Sequence, residues 1–222
     1  MIKKKKILAL IVARENSKRL KNKNLLKLSN KTLIERTFDT ARKSKYIDRI
    51  ILSTESKKII KTAKSFGLDT PCIRPKKLSK DNVGADKVVL HTIKKYKNDF
   101  FYIILLQPTS PMRTTRDIDA CIEKIDKKKF KSIISIYKSN KLNKFKVIIK
   151  GSKIIKKDRS PKLRKKNYYI NGAIYISNIK NYIKKKKFLS NETGFYLMPE
   201  KRSIDIDYKS DYIKVKRVYA NV

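Results

Sequence analysis

Four residue types that build common sites are scarce or missing in this chain. Its 222 residues include no Trp, one His, two Cys and five Gly. The sequence contains neither the G-x-x-x-x-G-K-[ST] loop of P-loop proteins nor the G-x-G-x-x-G turn of dinucleotide-binding domains. A G-x-S-x-G nucleophile elbow is missing as well. These absences argue against a P-loop NTPase, a Rossmann dehydrogenase and a nucleophilic serine hydrolase.

The cysteines and the histidine do not predict a site either. Cys72 and Cys121 stand far apart, without a C-x-x-C pair or a histidine cluster, so neither structural zinc nor a disulfide framework is expected. His91 falls in a predicted helix, where a lone histidine is more often a packing or surface residue than a catalytic base. This cysteine usage favours a reducing compartment.

Long hydrophobic runs are also absent. The first apolar run ends at Ala13 and meets Arg14 without a small-residue cleavage site, which does not fit a signal peptide. No later run approaches the ~20 apolar residues that span a bilayer. We therefore expect a soluble, cytoplasmic protein without a membrane span.

Acidic residues are few, and the charge balance is strongly basic. The chain has 19 Asp and Glu against 59 Lys and Arg, a formal net charge of +40, which raises nucleic acid as a partner. However, 47 of these bases are lysine and only 12 are arginine, spread from Lys3 to Lys216. Lysine suits a solvated surface, whereas groove-reading proteins depend on arginine. Nucleic acid is therefore a disfavoured partner, and a basic nucleic-acid-associated protein stays open as an alternative.

The apolar pattern predicts an α/β fold. Apolar runs near 6–13, 49–53, 101–106 and 132–137 alternate with segments of helical period near 31–44, 55–66, 85–97 and 115–127. Such alternation is typical of βαβ units. We expect a three-layer sandwich with a mostly parallel, Rossmann-like sheet and a single domain over residues 1–222. The later elements expected are a strand at 173–176 and helices at 179–187 and 207–219.

Residues 139–167 interrupt this pattern. The segment is rich in lysine, contains Gly151 and Pro161, and carries short β-like pieces such as 145–149. An irregular stretch of this length is usually a functional loop or an inserted hairpin. We interpret it as a small excursion that contacts a second subunit or the substrate.

The first candidate site follows the first strand. Five cationic side chains lie within ten residues and are spaced by Asn and Ser, which tolerate tight turns: Arg14, Lys18, Arg19, Lys21 and Lys23. The carboxyl ends of strands are where open α/β sheets bind ligands, and clustered cations suit a triphosphate. A chain with 47 lysines will place some in every loop, but Arg14 and Asn16 are harder to explain by composition alone.

Two further motifs are chemically informative. In Leu105–Arg113 an apolar strand ends at Gln107, which offers a donor and an acceptor, and two prolines rigidify the turn. The alternative is a rigid turn in which Thr114 or Thr115 caps the next helix. Asp205 and Asp207 are separated by one residue, so at a strand end both carboxylates would face one side and suit Mg²⁺. The alternative for Asp207 is the N-cap of the last helix.

Three weaker signals complete the set. Arg74-Pro75 follows a short extended piece, Asp81-Asn82 lies in a predicted loop, and Asn171-Gly172 precedes a predicted strand. Asn-Gly is by itself a turn signal.

Taken in order along the chain, these motifs resemble the CMP-sugar synthetases, specifically the acylneuraminate cytidylyltransferases and their relatives for other nonulosonic acids. The resemblance runs from Ile7 to about Tyr219. It is carried by Ala13–Lys18 with Lys23-Asn24, Ile51–Thr54, Arg74-Pro75, Leu106–Arg113, Asn171–Tyr175 and Ser203–Asp207.

The resemblance implies transfer of CMP from CTP to the C2 hydroxyl of a nonulosonic acid, with release of pyrophosphate, in a Mg²⁺-dependent homodimer. The catalytic residues would be Arg14, Lys23 and Asp207. The implied nucleotide-binding residues are Arg14, Asn16, Ser17, Lys23, Asn24, Arg74 and Asp81. Substrate contacts would come from Gln107, Asn171, Gly172 and Tyr175, and Mg²⁺ would bind Asp205 and Asp207. No protein nucleophile is needed for such a phosphoryl transfer.

Two departures from the family pattern concern the substrates. Many relatives carry Arg shortly before the Asn-Gly pair, where this chain has Tyr168-Tyr169-Ile170. The carboxylate of the sugar acid must then find another cation, from Arg164, Lys165 or Lys166, or the substrate is not N-acetylneuraminate. Arg19 also stands where sialic-acid enzymes often have Gly. A nucleotidyltransferase of the same fold with another acceptor or nucleotide therefore stays open.

Overall fold

The apolar runs form a nine-stranded sheet in the computed structural model, which describes residues 5–15, 17–68, 72–96, 98–141, 143, 145–158, 160 and 167–220. The strands are β1 (Ile7–Val12), β4 (Arg49–Thr54), β5 (Cys72–Ile73), β6 (Tyr102–Leu106), β7 (Ser132–Lys138), β8 (Lys146–Lys150), β9 (Lys153–Lys157), β10 (Tyr168–Asn178) and β11 (Thr193–Leu197). A separate small hairpin joins β2 (Lys27–Leu28) to β3 (Lys31–Thr32). All the predicted strands are present, and β5 is the short extended piece expected before Arg74, whereas β9 and β11 were not predicted.

The order of strands in the main sheet is β5-β4-β1-β6-β10-β7-β11-β9-β8. Strands β5, β4, β1 and β6 are parallel, but β10 is antiparallel to both of its neighbours, β6 and β7. The predicted mostly parallel sheet is therefore wrong for this half of the sheet. The connection is consistent with this direction: no helix separates β7 from β10 among the described residues, so the chain lacks the helical crossover that parallel pairing usually uses.

In the described part of the chain, six α-helices accompany the sheet: α1 (Leu33–Arg42), α2 (Lys57–Lys64), α3 (Ala85–Tyr96), α4 (Thr115–Lys127), α5 (Ile179–Lys185) and α6 (Lys209–Ala220). Thr114 or Thr115 was predicted to cap the helix after the Gln107 turn. The cap of α4 is Thr114, which forms a capping box with Asp117. The last helix begins two residues later than predicted. Asp211 accepts hydrogen bonds from the amides of Asp207 and Tyr208, so the side chain of Asp207 is not the cap.

The helices pack on both faces of the sheet. In β1, Leu8 and Leu10 belong to a core that includes residues of α3 and α5. Ile7 and Ala9 belong to a second core that includes four residues of α4. All four side chains are fully buried. Because successive side chains of a strand point to opposite faces of the sheet, β1 contributes to both cores. This two-sided burial explains why the first strand reads as a continuous apolar run.

The order β4-β1-β6 determines where a site can form. The chain leaves β1 toward β4 on one side and later places β6 on the other side, which makes a topological switch point. Ligands of open α/β sheets bind in the crevice outside the carboxyl ends of such strands. The residues that follow β1 and β6 are the Arg14 loop and the Gln107 turn.

The segment 139–167 contains a β-hairpin. Strands β8 and β9 pair with each other and join the main sheet through β10 and β11. An excursion with strand-like pieces was predicted, and the hairpin confirms that part. Arg164, Lys165 and Lys166, the predicted cations, lie outside the described residues, and the contact with a second subunit stays a prediction.

Within the described part of the chain, the helices are all too short or too polar to cross a bilayer.

Gly194 in β11 offers a test of how tightly the sheet packs. A Cβ built there would lie 2.8 Å from Cγ of Phe130 and closer still to two other ring carbons. We expect Gly194→Ala to lower the free energy of unfolding by about 1–3 kcal/mol because the ring must shift in a packed core. Chemical denaturation measures this effect. Gly84→Ala is the matched control, since its Cβ meets nothing within 4 Å; equal stability of the two variants would contradict this account of the packing.

Candidate functional site

Two connected cavities open at the carboxyl ends of β1 and β6. We call the first, of about 790 Å³, the basic lobe; its lining includes Arg14, Ser17, Lys18, Arg19, Lys23, Asn24, Arg74 and Asp81. We call the second, of about 640 Å³, the aromatic lobe; its lining includes Tyr137, Phe145, Ile170, Tyr175 and Tyr208. Four residues line both lobes: Gln107, Phe145, Asp205 and Asp207. Residues from three distant parts of the sequence therefore meet where the lobes join.

The outer cations of the basic lobe are paired with Asp81. Arg14 Nη1 lies 2.6 Å from Asp81 Oδ1, and Lys18 Nζ lies 2.9 Å from Asp81 Oδ2. The hydrogen bonds from Lys18 and Arg14 hold the pKa of Asp81 below its usual value. Asp81 was predicted to flank the nucleotide, and the structure places it in the basic lobe against the loop that follows β1. A polyphosphate would compete with this carboxylate for the same two cations.

The inner cations of the basic lobe are paired with Asp207. Lys23 Nζ lies 3.0 Å from Asp207 Oδ1, and Arg19 Nη1 lies 3.0 Å from Asp207 Oδ2. The Lys23 side chain is only 15% exposed, so this pair is shielded from water more than the pairs at Asp81. Both predicted catalytic cations therefore face the cleft. Arg19, which departs from the family pattern, adds a further charge beside Asp207.

Arg74 is held at the base of the basic lobe by a residue that the sequence motifs did not single out. Its Nη2 donates to Glu55 Oε2 at 2.5 Å and to the carbonyl of Ala13 at 2.9 Å. Burial alone would raise the pKa of Glu55, but hydrogen bonds from Arg74 and the Glu15 amide, with the charge of Arg74, lower it overall. Glu55 directly follows the buried parallel strand β4. That position, at the carboxyl end of a strand, could have identified it as a candidate from the sequence.

The remaining nucleotide-binding candidates have different surroundings. Asn24 is buried, and its amide nitrogen donates to the carbonyl of Arg14 at 3.0 Å, so it shapes the loop from inside. Ser17 is partly exposed and lines the basic lobe. Asn16 lies outside the described residues.

The turn after β6 is fastened to the acidic segment. Arg113 is buried and donates to the carbonyls of Gln107 and Ala173, at 3.3 and 2.7 Å. Burial lowers the pKa of its guanidinium to about 10. The amide of Ile206 donates to the carbonyl of Thr109 at 2.8 Å, which places Asp205 and Asp207 beside Gln107. The sequence identified Gln107 as a residue at a strand end. It did not predict these supporting contacts, which join segments far apart in the sequence.

Asn171 and Gly172 lie inside β10, not before the strand as predicted. The register between β10 and β7 shifts between Ile170 and Tyr175, and Gly172 has φ +77°. A Cβ on Gly172 would lie 3.2 Å from Gln107 Oε1 and 3.6 Å from Asp205 Oδ2. Glycine is therefore required both by the backbone angle and by the close approach of two site residues.

Asn171 is a positioning residue. Its Oδ1 accepts from the Ser135 hydroxyl at 2.6 Å and from the Ala173 amide at 3.1 Å. Its Nδ2 donates to Ser203 Oγ at 2.9 Å and also contacts the sulfur of Met198. These contacts commit its donors and its acceptor to the protein. They hold the irregularity at Gly172, and the substrate contact predicted for Asn171, which lines the aromatic lobe, stays a prediction.

The two aspartates were predicted at a strand end. They lie instead in an extended segment before α6. They still face one side, because both line the two lobes while Ile206 between them is fully buried in a cluster with Leu28 and Val215. Burial, with the nearby charge of Asp207, raises the pKa of Asp205. Its buried Oδ1 has no hydrogen-bond partner among the described residues. A bound cation would satisfy that oxygen.

The donor set is compatible with Mg²⁺ but incomplete by itself. Within the described residues no group of three or more His, Cys, Asp and Glu could hold a metal ion. Mg²⁺ prefers six oxygen ligands and is commonly held by one or two carboxylates together with substrate phosphates and waters. Asp205 and Asp207 therefore fit a site that phosphate oxygens complete.

Tyr175 contributes to the aromatic lobe from the far side of the irregularity in β10. Its ring packs against Phe188 at 5.4 Å between centroids, and burial raises the pKa of its hydroxyl. Tyr169, at a position where relatives carry arginine nearby, is fully buried and packs against Tyr137 at 5.6 Å. The described part of β10 thus offers no cation to this lobe.

Fold and site together define an α/β nucleotidyltransferase, and comparison with known proteins gives its family. The model of the family described as Cytidylyltransferase matches residues 8–220. The chain belongs to this family. Among solved structures, a CMP:2-keto-3-deoxy-manno-octonic acid synthetase complexed with CTP superimposes with a TM-score of 0.78 at 16% identity, over 97% of this chain and 99% of that one. At that identity the likeness shows the fold alone.

Sequence relatives refine the placement. An N-acylneuraminate cytidylyltransferase of Escherichia coli O18:K1:H7 is 32% identical over 93% of this chain, which spans only 50% of that relative's length. A CMP-N,N'-diacetyllegionaminic acid synthase of Legionella pneumophila is 34% identical over 96% of both chains. A pseudaminic acid cytidylyltransferase of Campylobacter jejuni is 26% identical, again over 96% of both. The resemblance inferred from the motifs is confirmed.

Glu55→Gln tests the support of Arg74. The pKa of Glu55 is lowered in the folded state, so its charge stabilises the fold above the ordinary pKa of 4.5, and that contribution is lost as pH falls through the lower folded-state value. We expect the variant to lose about 1–3 kcal/mol near neutral pH, because it weakens a charge-assisted bond to a buried arginine, and less below pH 4.5. Urea denaturation across pH measures this. Exposed Glu192→Gln is the control, and a pH-independent difference would contradict the assignment.

Proposed function

We propose that this protein transfers CMP from CTP to the C2 hydroxyl of a nonulosonic acid and releases pyrophosphate. The observation that carries the proposal is the junction of the two lobes at Gln107, Asp205 and Asp207. One lobe is rich in cations that suit a triphosphate, and the other offers polar and aromatic walls for a sugar acid. The family match and the names of the three relatives support the same reaction.

The basic lobe would bind the triphosphate by exchanging partners. Arg14 and Lys18 now neutralise Asp81, and Lys23 and Arg19 neutralise Asp207. Phosphate oxygens would take over these cations, and Lys23 and Arg19 lie at the junction because both pair with Asp207. Attack of a hydroxyl on phosphorus is mainly a matter of positioning and of neutralising phosphate charge. The cations therefore supply most of what the reaction needs from the protein.

Mg²⁺ is part of the proposal. Asp205 and Asp207 would hold it, and the buried Oδ1 of Asp205 is the observation that supports a cation there. When bound, the ion supplies further neutralisation of the phosphates and polarises the phosphorus under attack. Lys23 and Arg19 would turn from Asp207 to the phosphates as the carboxylate takes this role.

The aromatic lobe would hold the acceptor. Gln107 can donate to and accept from sugar hydroxyls at the junction, while Gly172 lets the chain pass close to it. Tyr175 supplies a wall. The relatives' names point to neuraminic, legionaminic or pseudaminic acids as the class from which the acceptor comes.

The assembly and location are proposals as well. We propose a homodimer in which the hairpin β8–β9 and its flanking loops, within residues 139–167, reach the second subunit. With +40 per chain, the interface should be poor in lysine because like charges repel. A cytoplasmic location is consistent with the use of CTP.

The decisive measurement is pyrophosphate release from CTP and Mg²⁺ across a panel of nonulosonic acids and the eight-carbon acid Kdo. We expect turnover with one nonulosonic acid, and a loss of at least about 100-fold in kcat/KM in Asp205→Asn and Asp207→Asn, since each removes a preorganised charge at phosphorus. Exposed Asp99→Asn is the control for a lost carboxylate. Near-equal rates in all three variants would remove the two aspartates from the site.

Silence with every acid would overturn the proposal itself. The basic nucleic-acid-associated protein would then be favoured if DNA or RNA binds with a steep salt dependence that survives both aspartate substitutions.

A further inference from the structure

We infer that Lys214 is the cation that pairs with the carboxylate of the acceptor, an assignment that rests on the proposed function. The aromatic lobe has an unusual charge distribution for a site that takes an acid. Four of its lining residues are acidic: Glu200, Asp205, Asp207 and Asp211. Among its described lining residues, Lys214 is the single base. A carboxylate entering this lobe would be repelled by these four acids and attracted by this one base.

The opposite wall does not provide a charge. The described residues that β10 contributes to this lobe lie within Ile170–Tyr175 and are uncharged, and the ring of buried Tyr169 packs on Tyr137. The cations at the junction are committed as well, because Lys23 and Arg19 pair with Asp207 and would be drawn to phosphate. Among the described residues, the compensating charge for the acceptor must therefore come from another wall of the lobe.

Lys214 is placed for this role by the start of α6. Asp211 accepts from the amides of Asp207 and Tyr208, at 3.0 and 2.8 Å, and so fixes the first turn of α6 directly against the junction. Lys214 lies on the next turn, three residues after Asp211 and on the same side of the helix. The acceptor's carboxylate is bonded to the carbon that bears the attacking hydroxyl, so its partner must lie near Asp207. A lysine with its flexible stem, one helical turn away, meets this requirement.

The ammonium of Lys214 is also available. The residue is exposed, and it has no ion-pair partner among the described residues. It differs in this from Arg14, Lys18, Arg19 and Lys23, each of which already contacts a carboxylate. Because the side chain of Lys214 is exposed and does not pack in the core, its replacement should leave the fold intact.

The test uses the full chain and separates the two substrates. We expect Lys214→Met to raise KM for the acid about 10- to 100-fold, as for loss of a charge-assisted hydrogen bond, while KM for CTP stays the same. Lys214→Arg should restore most of the affinity. Binding of a carboxamide analogue of the acid, measured by calorimetry, should be the same in the wild type and Lys214→Met, because the neutral analogue does not need the cation.

Lys216→Met is the matched control. It removes the same charge from the same helix, but Lys216 points about 200° away from Lys214, and its ammonium lies 5.9 Å from the ring centroid of Tyr212. If Lys214→Met and Lys216→Met show the same KM for the acid, the assignment of Lys214 is overturned while the cytidylyltransferase proposal stands. If the wild type releases no pyrophosphate with any acid, both fall together.

Discussion

The cleft depends on the pairing of a few carboxylates with many cations. In a chain of net charge +40, the cations that follow β1 would repel one another unless acids were placed among them. Asp81 holds the two outer cations and Asp207 holds the two inner ones. Under the proposed function the same carboxylates would give these cations up to phosphate, so the pairs that order the cleft would also prepare it for an anionic nucleotide.

Backbone contacts bring the separate parts of the site into one place. The amide of Ile206 is bonded to the carbonyl of Thr109, and Arg113 ties the carbonyl of Gln107 to that of Ala173. Gly172 then permits the close approach of Gln107 and Asp205. Each contact joins segments far apart in the sequence, so the geometry of the junction depends on the whole sheet and not on any one motif. A side chain at 172 would disturb all three parts together.

The distribution of acids explains how a very basic protein can retain a specific site. Six of the 19 acidic residues line the lobes or support them directly: Glu55, Asp81, Glu200, Asp205, Asp207 and Asp211. The lysines are spread over the whole chain, whereas these carboxylates are concentrated at the crevice. The positions of the few acidic residues therefore indicate the function better than the large excess of basic residues does.

By itself, the sequence determined the helices and most strands, the family, and the segments that form the site. These features follow from local periodicity and from short motifs such as the one around Gln107. Only the tertiary structure decided that β10 runs antiparallel, that Asn171-Gly172 lies within a strand, that Glu55 pairs with Arg74, and that Lys214 lines the aromatic lobe. Strand direction and ion pairing depend on contacts between distant segments, and no local pattern specifies those.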